Sequence, residues 1–236
     1  MTQSISRRVF LITAGAAVAA PRIPAAESKV PKLLDHILLG CSNLDDGITF
    51  VFQGTGVRGT FGGVHPGAGT QNALISLGER CYLEIIAPDP KQAGSPDSRG
   101  LKKLAEPRLV TWAAHPGDLD AFAARLKRSG VAVAGPTPGS RKRPDGRVLT
   151  WKTLALKDDP SALLPFFIEW SADSLHPSID APKGCRLVSF ALQTPNLKEL
   201  VKTLALLELD AATEQSEKAQ LRATIAGPKG QLELTS

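Results

Sequence analysis

Leu34-Asp35-His36-Ile37-Leu38-Leu39-Gly40 opens the stretch that decides the fold. Gly62-Gly63-Val64-His65-Pro66-Gly67-Ala68-Gly69-Thr70-Gln71-Asn72 fills its middle, and Cys81-Tyr82-Leu83-Glu84-Ile85-Ile86-Ala87-Pro88-Asp89-Pro90 closes it. The outer segments read as apolar strands, each carrying one side chain able to ligate a metal, His36 and Glu84. An ionisable residue inside such a run breaks the pattern unless it faces a cleft. A core histidine or an edge-strand glutamate explains either residue alone; the pair points to a site. The glycine-rich middle is no phosphate loop, because no lysine follows in the right place and no helix opens on it. Its glycines permit tight turns or close approach of a ligand. His65 lines the cleft mouth or sits in a surface turn. Thr70 and Asn72 hydrogen-bond a ligand or hold the turn.

Working outward, Leu33 to Gly40 is a strand and Leu44 to Gln53 a helix. Ser42-Asn43 caps that helix, Asp45 and Asp46 favour its first turn, and Gly54-Thr55-Gly56 stops it. A weak strand near Val57 to Thr60 precedes a hairpin of Ala73 to Leu77 and Cys81 to Ala87. After a linker to Pro107 the order recurs. Leu109 to Ala114 is a strand, Asp118 to Ser129 an amphipathic helix, and Val131 to Ala134, Val148 to Leu156 and Leu164 to Trp170 are strands, with Pro136 to Arg147 a polar loop. A third copy follows: strand Arg186 to Gln193, helix Asn196 to Leu207, and a hairpin of Leu221 to Ala226 and Gln231 to Leu234. The pattern repeats every ~75 residues. In this register His36 is matched by Thr111 and Ser189, and Glu84 by Glu169 and Glu233. Trp112, Trp151 and Trp170 fall on strands of the second copy, where core packing is the expectation. His176-Pro177 folds back over the cleft or ends the copy.

The stretch resembles the vicinal-oxygen-chelate superfamily and, within it, the glyoxalase-like group. The residues that carry the resemblance are Asp35-His36, the Gly-Gly-x-His-x-Gly-x-Gly-Thr-x-Asn loop, and Tyr82-Leu83-Glu84 followed by Pro88-Asp89-Pro90; it spans roughly Leu33 to Pro177. It implies an α+β fold in which βαβββ modules form a curved mixed sheet around a cleft, with metal ligands, where present, on the first and last strands of each module. On that footing His36, Glu84 and Glu169 are the ligands of a divalent metal: zinc, iron(II), manganese or nickel. The metal would polarise a carbonyl or activate water or oxygen, with Glu84 or Glu169 as general base. Thr111 departs from the pattern, since metal-dependent members usually offer a ligand there. Several members bind small molecules without metal. His65, Asn72, Arg141 and Arg143 are the candidate substrate contacts. Arg141, Arg143 and Arg147 flank Pro144-Asp145-Gly146, where one of them clamps an anion through a forked hydrogen bond or all are a solvated hairpin tip.

Length and composition set the remaining bounds. The chain has 236 residues, 42% hydrophobic and 22% charged, an ordinary globular composition with mass for a sizeable core. Its formal charge of +5 includes Arg7, Arg8 and Arg22; without them 25 basic residues face 23 acids, leaving +2. Nucleic-acid binding is therefore not indicated. Ser6-Arg7-Arg8-Val9-Phe10-Leu11 reads as a twin-arginine export signal, followed by an apolar run too short to span a bilayer. Residues 1–26 are read as that signal, 27–180 as a glyoxalase-like domain of two modules, and 181–236 as a shorter third module. The third module packs on the core or pairs across a homodimer. The expected compartment is the periplasm, the translocase is a partner only during export, and no stable membrane anchor is expected. Cys41, Cys81 and Cys185 are an odd count; a bridge between the first two or buried thiols both fit. The reading that results is an exported, metal-assisted lyase, isomerase or oxygenase acting on a small carbonyl or phenolic compound. The alternative is a metal-free small-molecule binding or sequestering protein of the same fold.

Overall fold

The computed structural model describes residues 30–236 apart from 93, 96, 98, 99 and 160; the expected export signal lies outside the described residues. Among the described residues no helix is long and apolar enough to cross a membrane. The elements run β1 (Leu34–Gly40), α1 (Leu44–Thr55), β2 (Thr60–His65), β3 (Thr70–Gly78) and β4 (Cys81–Pro88). Then come β5 (Arg108–Ala114), α2 (Leu119–Arg128), β6 (Val133–Lys142), β7 (Val148–Leu156), β8 (Phe166–Trp170) and a one-turn helix α3 (Pro177–Asp180). The chain finishes with β9 (Arg186–Thr194), α4 (Leu197–Leu206), β10 (Ala212–Gln215), β11 (Gln220–Gly227) and β12 (Gly230–Thr235).

Eight strands form one mixed, curved sheet in the order β2-β3-β4-β1-β5-β8-β7-β6, and the last four form a second sheet, β10-β9-β11-β12. The fold is α+β. Each set of four strands and a helix has the order βαβββ, but the pairing differs. In the first set the opening strand β1 lies parallel to the closing strand β4. In the last set the opening strand β9 lies parallel to β10 and antiparallel to β11.

Period-two alternation divides the two faces of the large sheet. Ile37 and Leu39 on β1, and Leu83 and Ile85 on β4, enter the main core with Leu44, Ile48 and Val51 of α1. The small sheet covers that same face: Phe190, Leu192, Leu221, Ala223 and Ile225 join the core, and the Phe190 and Trp112 rings pack 5.1 Å apart. Each fully buried Leu, Ile or Phe contributes about 1.5–3 kcal/mol, so this face carries much of the stability. The even-numbered residues His36, Leu38, Tyr82, Glu84 and Ile86 face the other way, into a cavity.

Local capping follows the sequence closely. Asn43 Oδ1 accepts hydrogen bonds from the Asp45 and Asp46 amides at 2.8 and 3.3 Å, and Gly56 ends α1 at φ 81°. Two expected loops are strands instead. Pro136 to Lys142 belongs to β6, which lies at the sheet edge, where a strand tolerates proline because its outward amides need no partner. Gly62 to His65 belongs to β2, and the turn is confined to residues 66–69. The outer strands β2 and β6 curl toward one another. A Cβ on Gly63 (φ 139°) would lie 2.7 Å from the Lys142 carbonyl oxygen and 3.0 Å from Arg141 Cδ, so only glycine allows this approach.

Candidate active site

The concave face of the large sheet encloses a cavity of about 450 Å³. Its polar floor is built by β1, β3 and β4. His36 is 2% exposed and Glu84 6%, and His36 Nε2 lies 3.5 Å from Glu84 Oε2. The other carboxylate oxygen, Oε1, accepts a 2.6 Å hydrogen bond from Asn72 Nδ2 and lies 3.7 Å from His65 Nε2. Burial pushes the Glu84 carboxyl up. His65, His36, the Asn72 hydrogen bond and Arg141 together outweigh it and hold the group below the usual carboxylate range. Glu84 is therefore an anion at neutral pH although almost no water reaches it.

Behind His36 stands Asp35, fully buried. Burial pushes its carboxyl up as well, but hydrogen bonds from His176 and His36 and the charges of both imidazoles hold it far below the usual aspartate range. An ionised carboxylate only accepts, so the tautomers follow. His36 Nδ1–H donates to Asp35 Oδ1 at 2.6 Å, His176 Nε2–H to Oδ2 at 3.2 Å, and Trp170 Nε1–H to Oδ2 at 3.1 Å. His176 Nδ1 in turn accepts from the Ser178 amide at 3.3 Å and caps α3. With Nδ1 serving Asp35, His36 turns Nε2 into the cavity beside Glu84.

Aromatic rings form the walls. Tyr82 stacks on His36 at 4.5 Å with an interplanar angle of 19°, and Phe166 meets the same imidazole edge-on at 5.5 Å. Burial, with Asp35 and Glu84 nearby, pushes the Tyr82 phenol well above its usual range, so it stays neutral. Trp151 and Trp170, packed 5.3 Å apart, also line the cavity. Arg141 of β6 completes the lining, 3% exposed.

A family model described as glyoxalase-like domain matches residues 34–208. The chain belongs to the glyoxalase-like domain family. Among solved structures, a hypothetical protein from Staphylococcus aureus is similar with a TM-score of 0.61 and 19% identity, over 86% of this chain and 84% of that one. A methylmalonyl-CoA epimerase from Mycobacterium tuberculosis gives a TM-score of 0.46 and 24% identity, over 64% of this chain and 95% of that one. A hypothetical protein from Bacillus halodurans gives 0.46 and 19%, over 61% and 98%. The first of these likenesses concerns the fold alone. No curated protein matches the chain.

Within this glyoxalase-like fold the expected site residues separate. His36, Glu84, His65 and Arg141 line the cavity, and Asn72 supports it through Glu84. Glu169 does not join them. On β8 the cavity takes Phe166, Ile168 and Trp170, so Glu169 points to the opposite face, where its Oε2 accepts the Leu119 amide at 2.8 Å and caps α2. Aligning the two Glu residues placed one of them on the wrong face, because a shift of one residue in a strand reverses every side chain. Arg143 also lies elsewhere. It donates to Asp180 at 2.8 Å and ties the β6–β7 hairpin to α3. The predicted ligand set of His36, Glu84 and Glu169 is consequently not assembled. Among the described residues no group of three or more His, Cys, Asp or Glu side chains is disposed to hold a metal ion. His65 brings a third donor within 3.7 Å of Glu84, but His36, His65 and Glu84 are not disposed around a common point, so the arrangement does not fit a resident divalent metal.

Sequence reasoning missed Asp35 and His176 as a buried pair, and Trp151 and Trp170 as cavity walls. A charged residue directly before His36 in an apolar strand was the available signal for Asp35. Nothing local marked His176 as its partner.

Proposed function

We propose that this protein is an enzyme of lyase or isomerase type that moves a proton at a carbon beside a carbonyl group of a small compound. The observation that carries this reading is the Asp35–His36–Glu84 array. Asp35 orients the His36 ring through Nδ1, Nε2 faces the cavity, and Glu84 stands 3.5 Å away. In this reading His36 Nε2 takes the proton from carbon, and the carboxylates on either side balance the imidazolium that results. The aromatic walls keep water from competing for the proton. His65 and Asn72 hold Glu84 in place and so act as positioning residues.

The test is deuterium exchange. The purified chain, incubated in D2O with a panel of small 2-keto and 3-keto acids and aldehydes, is expected to exchange the proton beside the carbonyl, read by proton NMR. Exchange should fall by about a hundredfold or more in His36→Gln, in line with the loss of a general base. Exchange that persists in that variant sinks the reading. Stoichiometric divalent metal in the native protein, lost in His36→Ala, would replace it with metal-assisted chemistry.

A second reading, a small-molecule binding protein of the same fold, is favoured by the walls of Tyr82, Trp151, Phe166 and Trp170 around the cavity. Saturable binding of an aromatic compound without exchange of any panel member supports it. We also place the protein in the periplasm, reached by the twin-arginine route; Arg7-Arg8 before the Val9 to Ala20 apolar run supports this. Fractionation of cells expressing native protein and an Arg7→Lys, Arg8→Lys variant tests it, with retention of the variant in the cytoplasm expected.

A further inference from the structure

Arg141 is the one strongly basic side chain lining the cavity among the described residues, and two of its nitrogens, Nε and Nη2, are buried without a hydrogen-bond partner. A buried, unsatisfied donor is costly, and on a guanidinium that cost is larger because the group is always charged. Shortage of acids nearby does not explain it. Asp145 and Asp180 lie in the adjacent hairpin and in α3, where Arg143 and Arg147 take them, and Glu84, whose carboxyl Arg141 helps to hold ionised, bonds Asn72 instead. The orphaned pair is also a particular one. Nε–H and Nη2–H project in parallel from one edge of the guanidinium, the edge that meets both oxygens of a planar carboxylate.

The fork is held in place. Gly63, whose φ of 139° suits glycine, lets β2 lie against the Arg141 stem, where a Cβ would come within 3.0 Å of both Cγ and Cδ. Two residues back on the same face of β6, Gly139 leaves room for the Trp151 ring, whose Nε1 would be 2.5 Å from an added Cβ. A flat aromatic surface thus lies beside the fork.

We propose that Arg141 is a carboxylate receptor, and that the ligand of this cavity is a small monocarboxylate with a flat, unsaturated or aromatic body. Its carboxylate lies side-on against Nε and Nη2, and its body lies between Trp151, Trp170, Tyr82 and Phe166. A phosphate ester fits less well, because a tetrahedral dianion needs more donors than one fork supplies and no second lysine or arginine among the described residues lines the cavity. This assignment deepens the proton-transfer reading by naming its substrate class, yet its test is independent of turnover.

The test is calorimetric titration of the full chain with benzoate, with benzamide as its neutral isostere, and with inorganic phosphate. Benzoate is expected to bind saturably at one site, and benzamide about tenfold more weakly or worse, since it offers the fork one neutral oxygen. Arg141→Gln should weaken benzoate about tenfold or more and leave benzamide unchanged; Arg141→Lys should restore benzoate only in part, because an ammonium lacks the planar fork. Glu84→Gln should keep or tighten benzoate binding while slowing proton exchange, because the imidazolium formed on His36 loses one balancing charge. Failure of exchange in the native chain with benzoate binding intact sinks the catalytic reading alone. The carboxylate assignment is overturned by absence of saturable benzoate binding, by equal affinity for benzamide, by phosphate binding more tightly than benzoate, or by unchanged affinity in Arg141→Gln. Should Arg141→Gln fail to fold, the comparison of benzoate with benzamide on the native chain decides.

Discussion

His176 Nε2 donates to Asp35 Oδ2 at 3.2 Å across 141 residues of chain, and both side chains are buried. This bond ties the segment that follows β8 to the first strand. It also completes the set of three N–H donors that keeps Asp35 ionised in a dry site. The imidazole that faces the cavity is thus oriented by a residue it adjoins in sequence, which is itself held by one far away.

Asp35→Asn is expected to cost about 2–4 kcal/mol, because the donors on His36, His176 and Trp170 are left facing a neutral amide. The native chain should also show an acid limb. A carboxyl held below its ordinary value of about 3.9 adds stability above that pH, and the gain is lost as pH falls below it. Urea denaturation between pH 2.5 and 7 checks both points: the Asn variant should show the shallower dependence on pH.

Asn72→Ala removes the 2.6 Å hydrogen bond to Glu84 Oε1. Burial then weighs more heavily, and the Glu84 carboxyl should titrate at higher pH than in the native protein. Carboxyl carbon NMR of protein labelled at glutamate follows this directly. The accompanying loss of stability should be about 1–3 kcal/mol.

Gly63→Ala and Gly67→Ala form a matched pair. Both glycines have positive φ, 139° and 75°. Around Gly67 nothing lies within 4 Å of an added Cβ, so only backbone strain of about 1 kcal/mol is expected. At Gly63 the new methyl group meets the Lys142 carbonyl and the Arg141 stem, and the loss should exceed that of Gly67→Ala by about 1–3 kcal/mol. Thermal denaturation of the two variants side by side separates strain from collision.

Glu169→Ala should leave ligand binding and proton exchange unchanged. Its carboxylate serves the Leu119 amide at the start of α2, so the expected loss is about 0.5–2 kcal/mol of stability. A fall in exchange with stability intact would return Glu169 to the site.

Cys41, Cys81 and Cys185 are free and buried, and burial pushes the Cys41 and Cys81 thiols up to about 12. The native protein should react with iodoacetamide at pH 8 slowly or not at all, and all three thiols should be alkylated in urea. Mass spectrometry of the two samples gives the count.

Much of the architecture is legible in the sequence. Asn43 as helix cap, Gly56 as helix stop and the alternation of Tyr82, Glu84 and Ile86 against Leu83 and Ile85 are local signals, set within a few residues of backbone. His36 and Glu84 stood out as ionisable groups in apolar strands, and the structure brings them together. Glu169 misled because its neighbours Ile168 and Trp170 are as apolar as those of Glu84, and the sequence does not say which face of β8 meets the cavity. The proline-rich stretch through β6 read as a loop because its edge position, which makes proline harmless, is a property of the sheet.

The amino-acid order alone determined the α+β class, where the helices begin, and that His36 and Glu84 are ionisable groups within apolar strands. Hydrogen-bonding periods and caps depend on nearest neighbours along the chain. Only the folded molecule decided that Asp35 and His176 share a proton-rich contact, that Glu169 caps a helix, and that Arg141 is left with an open fork. Those outcomes depend on how distant strands pair and on which groups consume the available acids, and both are settled by packing in three dimensions.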